Sequence, residues 1–233
     1  NGRIISFTMD EKITNQLIFE AGLAYNTEIN DLLLSALIRA VHIWKNKSMI
    51  AVNLESHGRE EEIVGLKVDN TVGWFTSSYP IILSYEEGLD RLIISVKEML
   101  HRIPSNGFTY GIFHSDSLSH PDISFNYLGQ MNDFGMQTSY SSELTVDSKN
   151  RLPGNISFNG SVTDDKLTFT IMYNSFMFDA AEINKLVDSY TKSLSDIVSH
   201  CVIQDDQIQT LSDLTDEELN ADEMDLLNEF YDF

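Results

Sequence analysis

The chain has 233 residues, 42% of them hydrophobic and 10% aromatic, enough to bury one sizeable core. Its 36 acidic side chains against 15 basic ones give a formal net charge of -21, a surface that repels phosphate backbones and anionic lipids and argues against nucleic-acid and membrane binding. A single cysteine, Cys201, excludes an internal disulfide framework and fits a reducing compartment, where it reads as an inert buried thiol.

The chain opens Asn1-Gly2-Arg3 on an apolar run, with neither an initiator Met nor a signal peptide. That opening is expected of a piece of a longer, soluble, cytoplasmic polypeptide. Thr8 and Glu11 have capping-box spacing, and Ile13, Leu17, Ile18 and Ala21 follow at helical period, so a first helix is predicted there. Thr27 caps a predicted second helix whose residues Ile29, Leu32, Leu33, Ala36, Leu37 and Ala40 form a wide apolar face. Met49 to Leu54 reads as a strand that delivers Glu55 at its C-terminal end. The polar, Gly-punctuated stretch Ser56 to Thr71 reads as a loop. Trp74 to Leu83 is aromatic-rich and strand-like, with Pro80 marking an edge or an irregularity.

Glu86 to Arg102 returns to helical period, and Ile123 to Leu128 reads as a strand. Asn155 to Val162 and Leu167 to Tyr173 alternate as a hairpin turning at Asp164-Asp165-Lys166, and Asp179 caps a last helix running to about His200. This order predicts an α+β fold for residues 1–205, a mixed β-sheet packed with helices. From Cys201 onward there is no Lys or Arg. Two readings stand open for the acidic segment 206–233: a helical tail or linker belonging to the lobe, or an arm that docks a partner.

No metal-ligand spacing, phosphate-binding loop or nucleophile elbow is present, and the six His are dispersed. The chemistry-bearing cluster is Glu55, His57, Gly58 and Arg59, just past a strand end, where reactive groups are commonly placed. The plain alternative is a solvated loop with a surface ion pair. A second cluster, Thr71 to Thr76, sets Trp74 and Phe75 after a Gly, and its plain alternative is a core strand.

Five segments in order resemble the signature motifs of the epimerization domains of nonribosomal peptide synthetases. Asn26 to Leu37 resembles D-x-L-L-x-A, and Glu55 to Glu60 is similar to EGHGRE with Ser56 in place of Gly. Thr71 to Thr76 matches TVGWFT and is followed by Tyr79-Pro80, and Ile103 to Gly111 resembles P-x-x-G-x-G-Y-G with Thr109 replacing a Gly. Phe125 to Gln130 matches FNYLGQ. The resemblance implies one lobe, the C-terminal one, of a two-lobed fold like chloramphenicol acetyltransferase, with the active site in a channel between lobes. It implies conversion of an L-aminoacyl or peptidyl thioester to the D form by removal and return of the α-proton. Glu55 would be the acid/base from this lobe. Asn126, Tyr127, His57 and Trp74 would line the substrate channel. If Phe125 to Gln130 is a regular strand, Asn126 and Tyr127 point to opposite faces unless a bulge intervenes.

The family's HHxxxDG motif belongs to the other lobe, and no His-His pair occurs in this chain, so the fragment is expected to be inactive alone. The implied partners are that N-terminal lobe, a peptidyl carrier domain, and a downstream synthetase reached through the tail. No cofactor or metal is bound directly; phosphopantetheine arrives on the carrier domain. A non-catalytic docking module and a condensation-type, amide-forming domain are the competing readings.

Overall fold

A computed structural model of the chain describes residues 2–59, 65, 67–68, 70–113, 121–131 and 154–214. Six strands form one mixed sheet: β1 (Gly2–Thr8), β2 (Met49–Ser56), β3 (Ser77–Ser84), β4 (Ile123–Gln130), β5 (Ile156–Thr163) and β6 (Lys166–Asn174), in the order β1-β6-β5-β4-β2-β3. The β2/β4 and β4/β5 pairs are parallel and the other three antiparallel. Each strand alternates, so one face of the sheet is apolar. Phe125, Phe158, Phe169 and Ile171 on that face meet α2 (Ile29–Lys45) and α5 (Ala180–Val202) in a single core. Elements α1 (Glu11–Phe19), α3 (Leu89–His101) and the short α4 (Tyr110–Phe113) flank them. The α+β expectation and its mixed sheet hold.

Helix α2 is buried almost all round, from Asp31 through Ile38, as its apolar face predicts. The Asp31 carboxylate accepts the Glu28 backbone N–H at 2.8 Å, so α2 is capped at Glu28, one residue after Thr27. Asp179 caps α5 by accepting the N–H of Glu182 at 2.8 Å. The β5–β6 hairpin turns at Asp164 and Asp165, both at positive φ, the conformation of a two-residue type I′ turn.

Two local expectations need correction. Thr8 does not cap α1: it is the last residue of β1, an edge strand absent from the sequence reading, and Asp10 caps α1 by accepting the Ile13 N–H at 2.8 Å. β3 begins at Ser77 instead of Trp74, because the preceding segment is held by contacts to the loop after β2. Past residue 205 the chain keeps contacts to the elements before it. Ile208 N–H donates to Ala24 C=O at 2.8 Å, and Asp213, in a short 3₁₀ turn Leu211–Asp213, pairs with Lys97 inside the lobe. The remainder of the tail, 215–233, lies outside the described residues.

Candidate active site

Strands β2 and β4 pair only from Val52 to Leu54 against Ile123 to Phe125. Beyond that the two parallel strands no longer pair, and a cleft of about 660 Å³ opens at their C-terminal ends. Crevices at this end of parallel strands are where α/β sheets bind ligands, because the chain departs in different directions and leaves space. Glu55 on β2 and Asn126 on β4 are the next residues along, and both line the cleft. The opposite wall comes from the start of α2 (Glu28, Asn30, Asp31) and the end of α3 with the turn after it (Leu100, His101, Ile103).

Asn126 Nδ2 donates to Glu55 Oε2 at 2.9 Å. Among the described residues no ammonium or guanidinium pairs with Glu55. Its side chain reaches water along the cleft, yet the protein around it displaces enough solvent to raise its carboxyl above the usual range. Tyr127 also lines the cleft, beside Asn126. β4 pairs regularly with β5 through Asn126 and Tyr127, so the two side chains leave opposite faces of the strand, and both border the cleft because it opens where β2 and β4 part; the register shift, with Gly129 at φ +77°, comes after Tyr127. Among the described residues the buried Tyr127 hydroxyl has no hydrogen-bond partner, and desolvation raises its pKa.

His57 lines the cleft with its ring turned to the backbone, Nδ1 accepting the N–H of Arg59 at 2.9 Å. Gly58 sits at φ +65°, and a Cβ there would collide with the Phe75 carbonyl. The Arg59 guanidinium donates to the carbonyls of Val68 and Thr71 and lies 4.2 Å from the Phe75 ring centroid. Among the described residues Arg59 stitches the two motif loops together through carbonyls and a ring. Trp74 is not brought to the site. It does not line the cleft of this lobe and is 91% exposed, because Phe75 is the aromatic that takes the inward place beside Arg59 and Gly58.

Two cleft residues escaped the sequence reading. Asp31 is 3% exposed, and burial raises its carboxyl to about 6. Its place in the helix motif was visible, but nothing in the spacing of α2 says that its first turn borders a cavity. His101 reaches the cleft only because α3 ends there.

The family model for the condensation domain matches residues 1–220. The chain belongs to the condensation-domain family. Surfactin synthase subunit 1 of Bacillus subtilis (strain 168) is 36% identical over 248 residues, covering 98% of this chain and 7% of that protein. Gramicidin S synthase 1 of Brevibacillus brevis is 36% identical over 251 residues, covering 97% of this chain and 23% of that protein. This condensation-family chain therefore spans less than a quarter of the length of these two curated relatives. Among solved structures, the epimerization domain from the third module of tyrocidine synthetase B matches with a TM-score of 0.81 at 33% identity, over 88% of this chain and 49% of that one. A four-domain nonribosomal peptide synthetase bound to AMP and glycine matches with a TM-score of 0.62 at 18% identity, over 87% of this chain and 17% of that one, a likeness of fold alone.

Proposed function

We propose that this chain is the C-terminal lobe of an epimerization domain that inverts the α-carbon of an aminoacyl or peptidyl thioester held on a carrier domain. The observation that carries this reading is Glu55 itself: a carboxylate at the end of a parallel strand, in a cleft, held by a neutral amide, with its proton affinity raised by desolvation. The likeness to a solved epimerization domain supports it.

Inversion breaks the Cα–H bond, moves its electron pair onto the thioester oxygen as an enolate, and returns a proton to the other face of Cα. Each face needs one acid/base group, worth about 10²–10⁴-fold. Glu55 serves one face, taking the proton in one direction and returning it in the other. The group for the second face comes from the lobe that carries the His-His motif. A carboxyl with raised pKa is suited to both halves of that exchange near neutral pH. Tyr127, which borders the cleft and whose buried hydroxyl has no partner among the described residues, has a donor to offer the enolate oxygen, where one such contact is worth roughly 3–4 kcal/mol. Asn126 positions Glu55, and His57 and Arg59 hold the loop that follows it.

The test is α-proton exchange from D₂O into a carrier-bound thioester, using the polypeptide that carries both lobes, with and without Glu55→Gln. Exchange and inversion that depend on Glu55 are the expected result. Formation of a new amide in place of inversion would establish the condensation reading. A folded two-lobed protein with a verified thioester that neither exchanges nor condenses would establish the docking reading.

A further inference from the structure

On the second face of the sheet, two adjacent rows have a chemistry unlike the rest of the molecule. Across the strands, Ser6 pairs with Thr170, Thr170 with Asn159, and Asn159 with Asn126, whose amide reaches Glu55. The neighbouring row holds Thr8, Thr168 and Ser161. All these positions alternate with core residues and are half-buried or exposed, and the core helices α2 and α5 pack on the other side. Charged residues are 22% of the chain, and exposed protein surface ordinarily carries a comparable or larger share. Yet Glu55 is the one charge in its row from β1 to β2. The side chains are short, neutral and able to donate and accept. Where partners are resolved they hold one another, with Ser6 Oγ 3.3 Å from Thr170 Oγ1, Thr8 Oγ1 2.9 Å from Thr168 Oγ1, and Asn159 Nδ2 donating to Ser157 Oγ at 3.2 Å.

We propose that this face seats the peptide upstream of the reacting α-carbon, so that the site's substrate is a peptidyl thioester in preference to an aminoacyl one. The proposal rests on the epimerase reading and deepens it. Four strand spacings separate Glu55 from Ser6, about 19 Å, the reach of roughly five extended residues. A peptide brings neutral N–H and C=O groups, which match a row of amides and hydroxyls. An aminoacyl thioester instead brings a free ammonium, and the row offers no counter-charge for it besides Glu55, whose carboxylate must be free to exchange a proton. The short side chains let an extended chain approach the sheet closely, and the row runs without interruption into the cleft where the α-carbon must sit.

The experiment compares aminoacyl and tripeptidyl thioesters on the carrier domain of the two-lobed polypeptide, in the unaltered protein and in Thr170→Val and Ser6→Val. Both substitutions place β-favouring Val on an open strand face, so the fold survives. Exchange with the tripeptidyl substrate should exceed that with the aminoacyl one. Each variant should lower kcat/KM for the tripeptidyl substrate about three- to tenfold, the loss of one neutral hydrogen bond, and leave the aminoacyl substrate unchanged. Aminoacyl exchange equal to or faster than tripeptidyl exchange overturns the proposal. Equal losses on both substrates, or lowered thermal stability without selectivity, also overturn it by showing that the face packs against the other lobe. A second arm needs no chemistry: calorimetric binding of non-reactive, amide-linked tripeptidyl and aminoacyl pantetheines. Tighter tripeptidyl binding that Thr170→Val abolishes sustains the peptide seat even if no thioester exchanges, an outcome that would sink only the epimerase reading. Equal binding of the two analogues overturns the seat.

Discussion

Asp213 lies in the packed interior and Glu55 on the cleft, and the protein moves their proton affinities in opposite directions. Burial opposes the charge of each. At Asp213, Lys97 Nζ donates to both carboxylate oxygens at 2.6 and 2.7 Å, and Asn26 Nδ2 and the Thr210 N–H add further bonds. These outweigh burial and hold the carboxyl down at about 2. The Lys97 side chain is fully buried and Asp213 only 8% exposed, and the ammonium also holds the Tyr25 carbonyl at 2.9 Å. The pair ties the chain after α5 to α3, and the bonds to Tyr25 and from Asn26 bind both to the loop before α2. At Glu55 a single neutral amide approaches, and desolvation prevails. A carboxylate that fastens the fold is given a cation; in the proposed reaction, the one that moves a proton is kept from one.

Exchanging the roles of these two carboxylates gives the sharpest tests. Glu55→Gln should lower α-proton exchange about 10²–10⁴-fold in the two-lobed protein. Its urea unfolding free energy should stay within about 0.5 kcal/mol of the unaltered protein, since no structural ion pair is lost. Lys97→Met should do the reverse: it strands a buried carboxylate and costs about 3–5 kcal/mol in the same unfolding measurement. The double substitution Lys97→Met, Asp213→Leu should recover most of that loss, because both charges leave together; no recovery would mean that the ammonium's bond to Tyr25 dominates.

The two kinds of carboxylate also separate by pH. The folded pKa of Asp213, about 2, lies below its ordinary value of 3.8, so its stabilisation is complete above about pH 4 and is lost as pH falls toward 2. Asp31 is raised from 3.8 to about 6, so its contribution is most favourable below pH 4 and is lost as pH rises toward 6. Stability measured against pH should therefore flatten at its acid end in Asp213→Asn. The slope between pH 4 and 6 should flatten in Asp31→Asn. The smallest expected effect concerns Asn126, whose amide favours the charged form of Glu55. Asn126→Ala should move the acid limb of the exchange pH–rate profile upward, and an unmoved limb would remove Asn126 from its positioning role.

Much of this architecture was legible in local pattern. The apolar face of α2, the Asp179 cap, the Asp164-Asp165 turn and the strand that ends at Glu55 all arise from interactions within a few residues, where spacing and side-chain type suffice. β1 was not legible, because Ile4, Ile5 and Phe7 become a strand only when β6 supplies the hydrogen bonds. Trp74 and Phe75 could not be told apart in sequence, since both are large aromatics after a Gly. The difference between them arises from Gly58 and Arg59, which claim the Phe75 position.

The sequence by itself determined most of the elements, the motif residues and the family they resemble, because helix period, capping and turn chemistry are short-range. It also identified Glu55 as the residue at a strand end. Only the tertiary structure decided that β2 and β4 are parallel neighbours whose C-terminal ends part to open the cleft. It likewise decided that Asn126 and Tyr127, on opposite faces of β4, both border that cleft, that Lys97 and Asp213 meet across 116 residues, and that Ser6, Thr170, Asn159, Asn126 and Glu55 align in one row. Strand order and register join residues far apart in the chain, and the free energy that selects them comes from burying the shared apolar face, which no single segment contains.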